Sequence, residues 1–285
     1  MAQDGSVGRL AAMVGAGGVV VLSGAGLSTE SGIPDYRGPT GARRRGTPMT
    51  YGEFTGTAAA RRRYWARSHL GWRSIARAEP NEGHRAVAGL QDRGLLDGII
   101  TQNVDGLHQA AGARDVVELH GSLDAVVCLG CRMRCDRAEL DARLRAANPD
   151  FDAVATKVNP DGDVELADDA VETFRLVPCE ACGSDLLKPD VVFFGENVPR
   201  DRVERCYALV DEARALLVLG SSLTVMSGFR FVRHAARRGI GVAIVNDGDT
   251  RGDEYATVRV HARLGPLLTD VLGRAGQPGP DVVPA

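Results

Sequence analysis

Two pairs of cysteines share one spacing, Cys128-x-x-Cys131 and Cys179-x-x-Cys182, and offer four thiols of the kind a tetrahedral zinc ion binds as thiolates. Four sulfurs leave no open coordination position, so the expected metal is a structural clip and not a catalyst. Upstream, Gly24-Ala25-Gly26-Leu27-Ser28 reads as a strand-to-helix turn whose glycines let backbone approach a pyrophosphate and whose helix N-terminus offers free N–H donors. Thr29 stands where the usual dinucleotide fingerprint has its third glycine. No clear acidic residue ends a second strand about 20 residues later, which weakens a dehydrogenase reading. His120 closes an apolar strand just before Gly121, at the carboxyl end where an α/β sheet places its ligand crevice, and an imidazole can exchange a proton near neutral pH. The plainer alternative is a strand-end histidine that binds a backbone carbonyl.

Other strand ends carry polar groups of the same kind. Gln102-Asn103-Val104-Asp105 supplies two amides and a carboxylate, suited to a ribose, an ordered water and a carboxamide, or to an ordinary Asx turn that starts a helix. Gly220-Ser221-Ser222 offers N–H and hydroxyl donors for phosphate, and Asn246-Asp247-Gly248 an amide and carboxylate for ribose hydroxyls. Each is an ordinary turn by itself; on successive strand ends they build one crevice. Val191 to Glu196, with Leu223-Thr224-Val225, read either as core and edge strands or as the walls of a groove that an extended peptide enters as an added strand.

The elements that must position these residues follow from short, β-branched apolar runs. Val19 to Leu22, Gly98 to Thr101, Val116 to Leu119, Leu216 to Leu219 and Val242 to Val245 each end at a polar or glycine-rich turn. Helical patterns at Val7 to Val14, Glu82 to Arg93, Pro199 to Arg214 and Phe229 to Arg238 alternate with them, which predicts an α/β fold with a Rossmann-like doubly wound parallel sheet. Two segments break the alternation. Residues 38–80, rich in arginine and aromatics, predict a helical insertion, and residues 121–187 a zinc-binding insertion with a polar span at Asn159 to Asp163. Together they form a smaller lobe beside a nucleotide-binding domain made of residues 1–37, 81–120 and 188–273, and residues 274–285 read as a flexible tail.

The 285 residues carry 34 basic and 37 acidic side chains, a formal charge of -3, without the long single-sign block of a nucleic-acid or anionic-membrane surface. Arg43 to Arg45 and Arg61 to Arg63 are short clusters that fit solvated faces. No apolar run reaches the ~18 residues of a membrane span and the start lacks a secretory pattern, so a soluble, cytoplasmic protein with reduced cysteines is expected. Cys206 reads as a small core residue of a helix. Cys135, four residues past Cys131, is ambiguous between a spare thiol and a competing ligand.

The run Gly24-Ala25-Gly26-Leu27-Ser28-Thr29-Glu30-Ser31-Gly32-Ile33-Pro34-Asp35-Tyr36-Arg37, then Thr101 to His108, His120-Gly121, Lys188 to Glu196, Gly220 to Leu223 and Ile244 to Asn246, closely resembles the sirtuin family of NAD-dependent protein deacylases from about residue 7 to 272. Arg63-Tyr64-Trp65-Ala66-Arg67 and Gly220 to Gly228 look most like the mitochondrial lipoamidase and ADP-ribosyltransferase branch and its bacterial relatives. The resemblance implies an enzyme that consumes NAD and uses structural zinc. His120 is implied as the base that activates a ribose hydroxyl and Asn103 as the residue that positions water or ribose, with Asp105 and Ile33 gripping nicotinamide. It places Ala25, Ser28, Thr29, Asp35, Tyr36, Arg37, Gln102 and Leu264 among the cofactor contacts with the turns above, and Val191, Phe193, Phe194, Gly195, Glu196, Leu223 and Val225 against an acyl-lysine peptide. Deacetylation is the default activity. Ala42 stands where succinyl-removing relatives carry a tyrosine, although Arg44 keeps an acidic acyl chain conceivable and the branch resemblance points to lipoyl or branched acids. The rivals are a mono-ADP-ribosyltransferase on the same cradle, a redox dehydrogenase, and a non-enzymatic zinc-knuckle binding module.

Overall fold

The computed structural model describes residues 2–35, 48–151, 153, 164, 166 and 171–275. Helix α1 (Ala2–Gly15) leads into β1 (Val19–Ser23), and β2 (Leu96–Thr101), β3 (Val116–Glu118), β7 (Ala215–Leu219), β8 (Gly241–Val245) and β9 (Val258–Val260) complete a six-stranded parallel sheet in the order β3-β2-β1-β7-β8-β9. The chain winds outward from β1 to β3, then returns to the other side of β1 for β7 to β9. That reversal between β1 and β7 is the switch point at which an open parallel sheet leaves a crevice.

The apolar run of β1 is buried on both faces and divides residue by residue. Val19 and Val21 join the layer formed with α1, α4 (Glu82–Asp92) and α9 (Leu264–Arg274). Val20 and Leu22 join the opposite layer under α7 (Arg200–Glu212) and α8 (Met226–Arg237), where Cys206 is fully buried and its thiol pushed up to about 12 by burial, as an inert core residue. This split is the two-residue period of a strand covered by helices on both sides.

The doubly wound sheet and the smaller lobe are as the sequence predicts, with local differences. After β1 the chain makes two three-residue 3-10 turns, Ala25–Leu27 and Thr29–Ser31, where a helix N-terminus was expected. Ser28, Thr29 and Ser31 are poor helix formers, the Thr29 hydroxyl donates to the Gly26 carbonyl, and Gly32 closes the segment at φ 83° ahead of Pro34. This turn therefore offers turn N–H groups and not the dipole of a long helix. Strand β9 and helix α9 were not predicted.

The smaller lobe holds α2 (Tyr51–Gly56) and α3 (Ala58–Ile75), then α6 (Arg137–Ala147) and an antiparallel sheet of β4 (Gly121–Cys128), β5 (Arg134–Asp136) and β6 (Leu187–Val191) in the order β5-β4-β6. Its core packs Phe54, Tyr64, Trp65, Leu140, Phe174 and Phe193. Asp141 binds the two insertions together. It accepts from His69 at 2.6 Å and faces Arg73, Arg137 and Arg145, and although burial pushes its carboxyl up, His69, Arg137 and Arg73 bring it down to about 2. The span Asn159 to Asp163 and the tail from 276 lie outside the described residues. No helix among the described residues is long and apolar enough to cross a membrane.

Candidate active site

A cavity of about 1030 Å³ opens between the large sheet and the smaller lobe, at the upper end of the roughly 300–1,000 Å³ usual for ligand sites. The turn after β1 contributes Gly24, Ala25, Gly26, Ser28 and Thr29, followed by Ile33 and Asp35. The turn after β2 contributes Gln102, Asn103 and Asp105; the turn after β7, Gly220, Ser221 and Ser222; the turn after β8, Asn246, Asp247 and Gly248; and the start of α9, Leu264. Val191, Phe193, Phe194, Gly195 and Glu196 line the opposite wall with Leu223 and Val225, and His120 lies in the same lining. Tyr36, Arg37, Ala42 and Arg44 fall outside the described residues.

Hydrogen bonds tie these turns together. Asn103 Nδ2 donates to the Gly24 carbonyl at 3.1 Å and to Ser28 Oγ at 3.0 Å, and Ser28 Oγ donates to Asp105 Oδ2 at 2.6 Å. Asp105 Oδ1 also accepts from the Leu107 N–H, so this carboxylate makes the Asx turn into α5 (Leu107–Ala110) and faces the cavity as well. Burial raises its pKa against the pull of the Ser28 and Leu107 bonds. Gln102 Nε2 reaches Ser221 Oγ at 2.9 Å and closes the turn after β2 onto the turn after β7.

A Cβ on Gly24 would stand 2.8 Å from the Ser221 Cβ, and one on Gly26 2.8 Å from the Gly220 carbonyl oxygen. The Gly26 N–H donates to that same oxygen. Both glycines thus serve the contact between two turns at the switch point, and both line the cavity as well.

His120 sits between β3 and β4. Its Nδ1 is 2.9 Å from the Gln102 carbonyl and its Nε2 2.8 Å from Ser227 Oγ. A carbonyl only accepts, so the proton of the neutral ring is on Nδ1 and the Nε2 lone pair meets Ser227 Oγ, which lines the cavity with His120. Burial lowers the ring's pKa, the Gln102 bond opposes that and Arg202 adds to it, so the neutral form prevails near pH 7. The carbonyl-binding alternative for His120 is what the geometry shows, and that bond orients the ring.

On the groove side, the Val192 N–H donates to the His120 carbonyl and the Tyr51 N–H to the Phe194 carbonyl. Lys188, buried beside the Phe193 ring, pairs with Glu196 at 3.0 Å, and Glu196 accepts from the Phe193 N–H. Phe194 is 40% exposed, whereas Leu223 is 1% exposed at φ 54° with its side chain in the core, which leaves its backbone for the groove. Sequence reasoning assigned no role to Ser227, Arg202 or Lys188. The signal for Ser227 was its place in the first turn of a helix that starts at the crevice.

The four sulfurs of Cys128, Cys131, Cys179 and Cys182 lie within 4.8 Å of one another, with Cys128–Cys182 and Cys131–Cys179 each at 3.7 Å. Ligands about 2.3 Å from a tetrahedral zinc stand roughly 3.8 Å apart, so the donor set fits a structural zinc. Among the described residues Cys135 is not part of this group.

A parallel sheet with its crevice at the switch point, a four-cysteine clip in an inserted lobe and a histidine facing the crevice define a nucleotide-dependent enzyme of the doubly wound class. Residues 24–227 match the Sir2 family model, and the chain belongs to that family. It is 63% identical over 92% of its length to NAD-dependent protein deacetylase 1 of Streptomyces coelicolor, covering 87% of that protein, and 53% identical over 91% to NAD-dependent protein deacetylase 1 of Mycobacterium avium, covering 92% of it. Among solved structures, a Sir2 protein with a p53 peptide and NAD+ superposes with a TM-score of 0.71 at 30% identity, over 90% of this chain and 93% of that one. A Sir2 variant with a deacetylated p53 peptide and 3'-O-acetyl ADP-ribose superposes with a TM-score of 0.75 at 28% identity, over 93% and 97%.

Proposed function

We propose that this protein is an NAD-dependent protein lysine deacylase, a deacetylase by default, acting on acyl-lysine proteins or peptides in the cytoplasm. The observation that carries the reading is the Nε2 lone pair of His120, held in the one cavity that the nucleotide turns and the peptide groove share. Its relatives' names and the ligands of its structural neighbours support it.

NAD supplies an electrophilic ribose carbon and a nicotinamide leaving group. The turns at Gly24 to Ser28, Gly220 to Ser222 and Asn246 to Gly248 hold its phosphates and adenosine ribose. Asp105 and Ile33 hold the carboxamide end, Asp105 with its geometry set by Ser28. Val191 to Glu196 and Leu223 to Val225 take the peptide backbone as an added strand, with Lys188 pinning the turn through Glu196. Asn103 orients the ribose or a water. Once the acyl oxygen has displaced nicotinamide, His120 removes a proton from a ribose hydroxyl so that its oxygen attacks the acyl carbon, and water completes transfer to free lysine and O-acyl-ADP-ribose. Zinc remains remote from these steps, a clip for the lobe that carries the groove.

The test is incubation with NAD and a panel of acetyl-, lipoyl-, branched- and acidic-acyl-lysine peptides, with nicotinamide and deacylated peptide followed by mass spectrometry. Equal, peptide-dependent release of both products is expected. Nicotinamide release without any acylated peptide would replace this reading with ADP-ribosyl transfer.

A further inference from the structure

Resting on the reading of His120 as the base, we infer that Ser227 is its positioning residue: the Ser227 hydroxyl on Nε2 holds the ring in place, in the tautomer that the Gln102 carbonyl sets, and receives the N–H that forms when the ring takes up a proton. Ser227 Oγ lies 2.8 Å from Nε2, in the cavity wall, and on an element separate from the one that holds Nδ1. The ring is thus gripped from both sides, by a carbonyl that can only accept and by a hydroxyl that can donate or accept. In the neutral ring the hydroxyl donates to the Nε2 lone pair. For the transfer the hydroxyl first rotates its hydrogen off Nε2; the ribose O–H bond then breaks as the Nε2–H bond forms on the freed lone pair, and the Ser227 oxygen accepts from the new N–H. No atom or electron beyond the ribose proton changes hands.

Ser227 is held where it is by backbone. It occupies the first turn of α8, and Gly228 beside it lets the helix lie against Gln102: a Cβ there would stand 2.5 Å from Gln102 Oε1. Gln102 is the residue whose carbonyl takes His120 Nδ1 and whose amide reaches Ser221. One residue therefore sets both the ring and the helix that carries the hydroxyl.

The sign of the effect follows from hydrogen-bond strength. A bond from imidazolium N–H to a hydroxyl is charge-assisted and stronger than the hydroxyl-to-neutral-ring bond, so Ser227 favours the protonated ring and makes it the stronger base. It works against burial, which lowers the ring's affinity for a proton. The charged group that acts on the ring is Arg202 on α7, itself paired with Asp190 of β6; Arg230 and Asp105 line the same cavity, and Glu118 of β3 precedes the ring by two residues.

The experiment is the pH dependence of kcat/KM for deacetylation of an acetyl-lysine peptide, with exchange of labelled nicotinamide into NAD measured in parallel. Exchange reports cleavage at the ribose carbon, before the base acts. Ser227→Ala is expected to lower the plateau roughly tenfold or more and to move the acid limb about half a unit or more to lower pH, while exchange continues. Ser227→Thr, which keeps the hydroxyl, restores both. An alanine variant with the wild-type profile, or one whose rate falls with the limb unmoved and is not restored by threonine, overturns the inference. His120→Ala separates the two levels: if it leaves deacetylation intact, the functional reading fails, and if it abolishes deacetylation while Ser227→Ala behaves as wild type, only the Ser227 role fails.

Discussion

His120 Nδ1 stands 2.9 Å from the carbonyl oxygen of Gln102, which settles where the neutral ring keeps its proton and which nitrogen can act as base. The two residues follow neighbouring parallel strands, His120 after β3 and Gln102 after β2, whose register pairs Thr101 with Glu118 and so brings the two together.

The pH profile follows from that geometry. Burial lowers the His120 pKa, with Arg202 acting in the same direction. Below its pKa the ring is protonated and cannot accept a proton, so activity falls on the acid side, and the midpoint of kcat/KM should lie below the ordinary value near 6.5. Arg202→Gln removes a cation and should move that midpoint upward, since the protonated ring loses a repulsive neighbour. A wild-type midpoint above 6.5, or no movement in the variant, would contradict the electrostatics.

Ser28 joins the turns after β1 and β2, because it accepts from Asn103 and donates to Asp105. Ser28→Ala leaves a buried carboxylate without its hydroxyl partner, a loss of about 1–3 kcal/mol, or roughly 5- to 150-fold in kcat/KM. Steady-state kinetics with varied NAD checks this, and a variant within twofold of wild type would remove the pair from the machinery.

Metal content separates the cysteines. One zinc per chain is expected, kept in Cys135→Ser and lost in Cys179→Ser, with the latter unfolding the smaller lobe since site formation and folding are coupled. Elemental analysis with circular dichroism reads both. Loss of zinc in Cys135→Ser would make that thiol a ligand.

Much of this was legible in the chain. Val19 to Leu22 announces a doubly covered strand, repeated C-x-x-C a thiolate cluster, and His120 before Gly121 a strand-end crevice residue. What escaped depends on tertiary contact. Val258–Val260 is three residues long, too short for a periodic signal, and Gly265 and Pro266 obscure the start of the helix beginning at Leu264. The 3-10 turns after β1 look like a helix start until Gly32 closes them. Ser227 meets His120 across 107 residues, and only the packing of α8 on Gln102 brings them together.

A buried pair of histidines, His84 and His108, has a consequence for stability. His108 Nε2 is 2.8 Å from Ser23 Oγ, which donates to Thr101 Oγ1, and its ring lies 5.2 Å from that of His84. Burial brings His108 down to about 4, and burial together with His108 and Arg85 brings His84 down to about 3. Both are neutral in the fold, whereas in the unfolded chain each takes up a proton as pH falls through about 6.5. Between those limits the unfolded state binds more protons, so stability is complete above pH 6.5 and is lost as pH falls toward 4, at up to about 1.4 kcal/mol per pH unit for each ring. His108→Gln removes one titrating group and should flatten the fall between pH 6.5 and 4.5 by up to that amount, even if its stability at pH 8 is lower. Chemical denaturation of both proteins at half-unit pH steps measures the two slopes, and parallel slopes would show that His108 is not buried in its neutral form.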